Sequence, residues 1–170
     1  IDDEYGKRLA QEFSDIAVTY SAEGNADYHA EFIRMNATGC SYMLVNEREK
    51  NACRVDMNMT GLYNVQNSLC AIAMVTALGF DMTECAKALS DLDGVDGRMN
   101  VVYRGDFTVI TDYAHTDDAL IKVLSTLKPL TKGRLICVFG AAGDRDKEKR
   151  PMMAKAAEDN ADILVITSDN

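Results

Sequence analysis

Apolar residues recur along this chain in two rhythms. From Tyr28 to Met59 they alternate with polar ones, in "HAEFIRMN", "CSYMLVN" and "ACRVDMNM", with "NATG" and "NEREKN" as turn-forming breaks. A period of two marks strands with one buried face, so this stretch predicts a three-stranded antiparallel meander. Ahead of it, "DDEYGKRLAQEF" predicts a short helix and "DIAVTY" a short strand. After it, "GLYNVQNSLCAIAMVTALGF" carries Leu69, Ile72, Ala73, Met74 and Val75, apolar most of the way round, which predicts a deeply buried helix closed by Gly79. Asp81, with Glu84 three residues on, predicts the capped start of a second helix that reaches Ser90.

The second rhythm is one of continuous apolar runs, "FTVIT" from Phe107, "LICVF" from Leu135 and "ILVIT" from Ile163, evenly spaced. Leu120, Val123, Leu124 and Leu127 make one helical face between the first two runs. Pro151, Met152, Met153, Ala156 and Ala157 mark another helix between the second pair, with Pro151 in its first turn. Buried strands alternating with amphipathic helices predict an α/β fold, a parallel βαβαβ sheet with right-handed crossovers. Between the two rhythms, "DLDGVDGRMN" concentrates glycine and aspartate, and it divides the chain into residues 1–93 and 94–170.

Composition narrows the function. The chain has 170 residues, 47% of them apolar and 26% charged, with a net charge of −9. That balance excludes a broad basic face for a nucleic-acid backbone, although a few local cations can still hold a nucleotide. No apolar run is long enough to cross a bilayer and no basic-then-apolar export signal opens the chain, so a cytoplasmic protein without membrane insertion is expected. The cysteines Cys40, Cys53, Cys70, Cys85 and Cys137 lack CxxC spacing and read as buried free thiols. The chain starts at Ile1 and stops at "ITSDN", which reads as a piece cut from something longer.

In parallel sheets ligands gather at the carboxyl ends of the strands. Here those ends are Asp112-Tyr113-Ala114-His115, then "GAAGDRDKEKR" from Gly140 to Arg150, then Ser168-Asp169-Asn170. Each also has a plain structural reading: Thr116, Asp117 and Asp118 suit a helix start, and Asp144 to Arg150 suits a solvated charge run. No GxGxxG follows the first of these strands, which argues against a dinucleotide dehydrogenase, and no GxxxxGK[ST] is present, which leaves this chain without a phosphate-cradling loop. His29 reads as a surface or edge histidine of the meander.

In order and spacing, "YNVQNSLCAIA", "LDGVDGRMNVV", "ITDYAHTDDAL", "VFGAAGDRDKEKRPMM" and "VITSDN" resemble the Mur ligases, and the branch that forms the tripeptide in particular. The resemblance spans essentially the whole chain. It implies the second half of a central ATPase domain followed by the first half of a Rossmann-like C-terminal domain. The implied reaction is ATP-dependent: an acyl phosphate forms on the D-glutamate carboxylate of UDP-MurNAc-L-Ala-D-Glu, and a diamino acid then attacks to give an amide. The setting is peptidoglycan precursor synthesis.

The resemblance also implies roles. Asn64 and Asn67 match paired asparagines that meet the adenine edge, Asn64 also capping its helix. Arg98 matches an arginine that clamps the ATP phosphates, Asp112 an acid that accepts from the ribose hydroxyls, and His115 a histidine beside the nucleotide. Arg145 matches an arginine that holds a carboxylate of the diamino acid, and Asp169 with Asn170 opens a motif binding the same amino acid; Arg145 leans toward meso-diaminopimelate over L-lysine.

Two departures stand out: Asp117 follows "DYAHT" where the family has proline, and "GVDGR" replaces "GVPGR". The P-loop, the magnesium ligands and the carbamylated lysine of the family would lie ahead of residue 1, so no catalytic or metal residue is assigned here and the piece alone should be inactive. A folylpolyglutamate synthase-like ligase and a non-catalytic nucleotide-binding module are the alternatives; Tyr113 and Thr116 stand where the former carries "DGAHN". Half of a central sheet would expose a strand edge, so self-association of this piece is also expected.

Overall fold

A computed structural model describes residues 1–142 and 147–169, and the chain divides into two compact units, Ile1–Val95 and Asp96–Asn170. In the first unit, helix α1 (Glu4–Glu12) is capped by Asp3, whose side chain accepts the Gly6 N–H at 2.8 Å. Strands β1 (Tyr20–Ser21), β2 (Tyr28–Asn36), β3 (Gly39–Asn46) and β4 (Asn51–Met57) follow, then helices α2 (Leu62–Ala77) and α3 (Met82–Ser90). The meander β2–β3–β4 is antiparallel, as the alternation implies, with Tyr28 opposite Asn46 and Cys40 opposite Met57. The sheet has four strands rather than three because β1 adds in parallel beside the start of β2.

Along β3 every second residue (Cys40, Tyr42, Leu44, Asn46) is buried, facing α2 and α3. Leu44, Val55, Val65 and Leu69 have no exposed surface, and each such side chain stabilises by about 1.5–3 kcal/mol relative to full exposure. Helix α2 buries one side only: Leu69, Ile72 and Ala73 face the sheet, whereas Met74 is 65% exposed. Its end is a Schellman motif, with Gly79 at φ +94, its N–H on the Thr76 carbonyl and the Phe80 N–H on the Val75 carbonyl. Asp81 caps α3 by accepting the Glu84 N–H at 3.0 Å.

The reading of His29 as a surface residue is corrected. It is 6% exposed, with Nδ1 3.2 Å from the Ala26 carbonyl, because β1 pairs with Tyr28 and His29 and covers the edge they would otherwise form. Farther along β2, a bulge between Glu31 and Arg34 turns Phe32 outward at φ +53.

The second unit holds β5 (Asn100–Arg104), β6 (Thr108–Thr111), α4 (Asp117–Leu127), β7 (Ile136–Ala142), α5 (Lys149–Asn160) and β8 (Ile163–Asp169). From β6 onward the order is β–α–β–α–β. β7 and β8 pair in parallel, Ile136 opposite Ile163, and Leu120, Leu124, Cys137, Met153, Ala156 and Ala157 form the core under the two helices. The expected three-stranded parallel pairing is revised at its first strand: β6 is hydrogen-bonded to β5, antiparallel, with Asn100 opposite Thr111. A turn of three residues, in which the Gly105 N–H meets the Phe107 carbonyl at 2.9 Å, joins β5 to β6. Such a local closure costs far less chain entropy than a long crossover.

Candidate functional site

Where β6 ends, the chain turns on the side chain of Asp112. Its Oδ1 accepts the Ala114 N–H at 2.8 Å, an Asx turn, and its Oδ2 accepts the N–H of Met99 at 2.9 Å. Next to it the Tyr113 N–H donates to the Gly97 carbonyl at 2.7 Å. Residues 97–99 are thereby tied alongside residues 112–113. Gly97 (φ +69) takes a left-handed backbone at no steric cost, but Met99 (φ +47) does so with a side chain, a strain of about 1–2 kcal/mol. Met99 is 1% exposed, so packing and the Asp112 bond hold it there.

Arg98 sits between these two left-handed residues and is exposed, its guanidinium carbon 5.8 Å from the centre of the Tyr113 ring. Tyr113 is 63% exposed and meets the His115 ring edge-on at 5.1 Å. His115 Nδ1 lies 2.9 Å from the Tyr113 carbonyl. A carbonyl only accepts, so that nitrogen is the donor and Nε2 of the neutral ring is free to accept. Thr116 caps α4 by accepting the Ala119 N–H at 3.2 Å, with Asp117 and Asp118 in the first turn. The capping reading of these residues therefore holds beside any ligand role for the loop before them. The structure brings Arg98, Asp112 and His115 together with Tyr113, a residue of the same strand end to which no ligand role is assigned from the sequence. The available signal was an aromatic residue standing alone among polar ones at a strand end.

In the first unit, Asn64 and Asn67 share a face of α2 but differ in setting. Asn67 is exposed, whereas Asn64 is 6% exposed and donates through Nδ2 to the Thr60 carbonyl at 2.8 Å. Asn64 therefore does not cap the helix. The cap is Gly61 at φ +105, where a Cβ would fall 2.8 Å from the Tyr63 ring. The neighbouring Gln66 donates to Asp2 Oδ2 at 2.8 Å, and Asp2 also accepts from the Ser21 hydroxyl and the Ala22 N–H. Burial pushes the Asp2 carboxyl up, but these hydrogen bonds outweigh it and hold the group below its ordinary value. Asp2 thus ties the start of the chain and β1 to the helix that carries both asparagines, a role the sequence reading missed.

Arg145 and Asn170 lie outside the described residues. Asp169 closes β8 opposite Ala142. Among the described residues no three His, Cys, Asp or Glu side chains converge as metal ligands. An exposed guanidinium, an aromatic face, a ring acceptor and a carboxylate with lone pairs to spare do fit a nucleotide. Among the described residues no helix is long and apolar enough to cross a membrane.

Residues 1–75 match the family "Mur ligase middle domain" and residues 97–170 match "Mur ligase, glutamate ligase domain". A UDP-N-acetylmuramoyl-L-alanyl-D-glutamate–2,6-diaminopimelate ligase of Clostridium botulinum is 39% identical over all of this chain, and one of Bacillus licheniformis is 43% identical over 99% of it. A solved structure of a ligase with the same description superposes on the whole chain with a TM-score of 0.70 at 35% identity. The chain spans 35%, 34% and 36% of the lengths of these three, about a third in each case.

Proposed function

Since the chain belongs to the Mur ligase family, we propose that the protein built on it is an ATP-dependent ligase adding meso-diaminopimelate to UDP-MurNAc-L-Ala-D-Glu in the cytoplasm. Residues 1–93 would supply part of its central domain and residues 94–170 part of its C-terminal domain. The observation that supports this reading most is the tied loop at the end of β6, with an exposed arginine over an exposed tyrosine ring and an imidazole at its edge. ATP supplies the phosphoryl group that activates the D-glutamate carboxylate. Arg98 neutralises charge on the phosphates, and it gains most where charge develops at the γ-phosphoryl group.

Asp112 keeps a lone pair on each oxygen after its two backbone bonds, enough to accept from ribose hydroxyls. His115 Nε2 offers an acceptor beside them. Asn67 meets the adenine edge, with Asn64 contributing its free Oδ1. Arg145, Asp169 and Asn170 hold the diamino acid, whose amine attacks the acyl carbon and releases phosphate. The magnesium ligands belong to parts of the protein beyond these residues, and no step is assigned to the ion here.

An amide-ligation assay on the full-length protein tests the reading. ATP-dependent product with meso-diaminopimelate, and much less with L-lysine, is expected; a preference for lysine would overturn the substrate, and a folate product the family branch. Strand β4 stands at an edge of the four-stranded sheet, so the isolated 170-residue chain is expected to self-associate along it. Sedimentation as a monomer at high concentration would refute that.

A further inference from the structure

We propose that Met99 and Asp112 form a latch that aims Arg98, so that Asp112 acts on the nucleotide's phosphates through the arginine and not on the ribose alone. The inference rests on the nucleotide-binding reading above and adds a positioning role to it. Three observations on one short stretch carry it. Met99 holds a left-handed backbone that a residue with a Cβ disfavours, and its side chain is almost fully buried. The Met99 N–H is held by Asp112 Oδ2 at 2.9 Å. On the other side of the arginine, the Gly97 carbonyl is held by the Tyr113 N–H at 2.7 Å.

Arg98 is therefore fixed at both backbone neighbours, and the residues that fix it, Asp112 and Tyr113, are adjacent to one another. Tyr113 also presents its ring to the guanidinium. An exposed arginine gives up rotamer freedom when it clamps a ligand, and a fixed backbone with an aromatic rest lowers that cost. Without the Oδ2 acceptor, nothing on the Asp112 side opposes the strain at Met99. The backbone would relax toward the ordinary region and carry Arg98 off its ring. The Met99 and Ala114 N–H groups meet different oxygens of Asp112, so in Asp112→Asn the NH2 group that replaces one oxygen would set a donor against one of them.

The test is a double-mutant cycle on the full-length ligase with Arg98→Ala, Asp112→Asn and the pair, reading kcat, the KM for ATP, and the preference for ATP over 2′-deoxy-ATP. If Asp112 acts through Arg98, the pair should lose at most about twofold more kcat than Arg98→Ala alone. Losses in kcat that multiply would overturn the latch. An unchanged 2′-hydroxyl preference in Asp112→Asn would remove the ribose contact while leaving the latch standing. A second readout needs no activity: trypsin cleavage at the Arg98–Met99 bond of the 170-residue chain should quicken about tenfold in Asp112→Asn, with cleavage after Lys122 unchanged. No change at Arg98–Met99, or equal acceleration at both sites, would overturn the latch as a local device.

Discussion

The two units use polar residues in opposite ways. In the first, many are turned inward and most of those are paired, Thr60 Oγ1 being buried without a hydrogen-bond partner. The Tyr42 hydroxyl is 2.8 Å from that of Ser68, Asn46 donates to the Tyr28 hydroxyl at 3.3 Å, and Asp27 takes the Thr19 N–H at 2.7 Å and Arg48 at 3.0 Å. Every buried polar or charged residue among the described ones (Ser21, His29, Asn46, Thr60, Asn64 and Ser68) lies in this unit. Burial pushes the Tyr42 hydroxyl and the Cys40 thiol up, the latter to about 11, so neither ionises at neutral pH. In the second unit, Arg98, Tyr113 and His115 face solvent, and the hydrogen bonds near them tie down backbone instead. Inward, paired polar groups stabilise a fold. Outward groups on a braced backbone are available to a ligand.

Substitutions can break that contrast. The largest effect expected is from Leu69→Ala, which leaves a cavity at a site with no exposed surface and should cost the first unit about 2–5 kcal/mol in urea unfolding. Arg98→Ala should do the reverse. In the full-length ligase it should lower kcat by about a hundredfold or more, while chain stability stays within about 0.5 kcal/mol. A comparable loss of stability would show that Arg98 belongs to the structure rather than to the site.

Asp2→Asn comes next, at about 1.5–3 kcal/mol for a charged acceptor serving Ser21, Ala22 and Gln66. Its pH dependence has a definite sign. The folded carboxyl lies below its ordinary 3.8, so its contribution is complete above that value and is lost as pH falls through the lowered one. The original chain should therefore lose more stability than Asp2→Asn as the pH falls from about 6 through and below the ordinary 3.8. Parallel losses would refute the role. The smallest effect is assigned to Arg145→Ala in the full-length ligase: a KM for the diamino acid raised about tenfold with kcat little changed, since only binding is removed. A fall in kcat at unchanged KM would move Arg145 to the phosphoryl chemistry.

Much of this was legible in the order of residues. The meander, the Schellman end at Gly79, the caps at Asp81 and Thr116, and the strands β7 and β8 all follow from interactions within a few positions or from a simple period. The loop Asp112 to His115 stood out as a polar end to an apolar strand. Strand β5 did not, because "NVVYR" follows the Asp- and Gly-rich stretch and reads as its continuation. Asn64 reads equally well as a cap or a ligand contact until the Thr60 carbonyl is seen to occupy it.

What the sequence alone determined is which segments become strands and helices, and which residues carry charge, rings and amides at their ends. These depend on periodicity and on contacts between near neighbours. The tertiary structure decided that β1 covers His29, that β6 pairs with β5, and that Asp112 reaches back thirteen residues to hold Met99. Those bonds join groups far apart along the chain. Backbone N–H and C=O groups are the same at every residue, so no residue type announces which of them will meet.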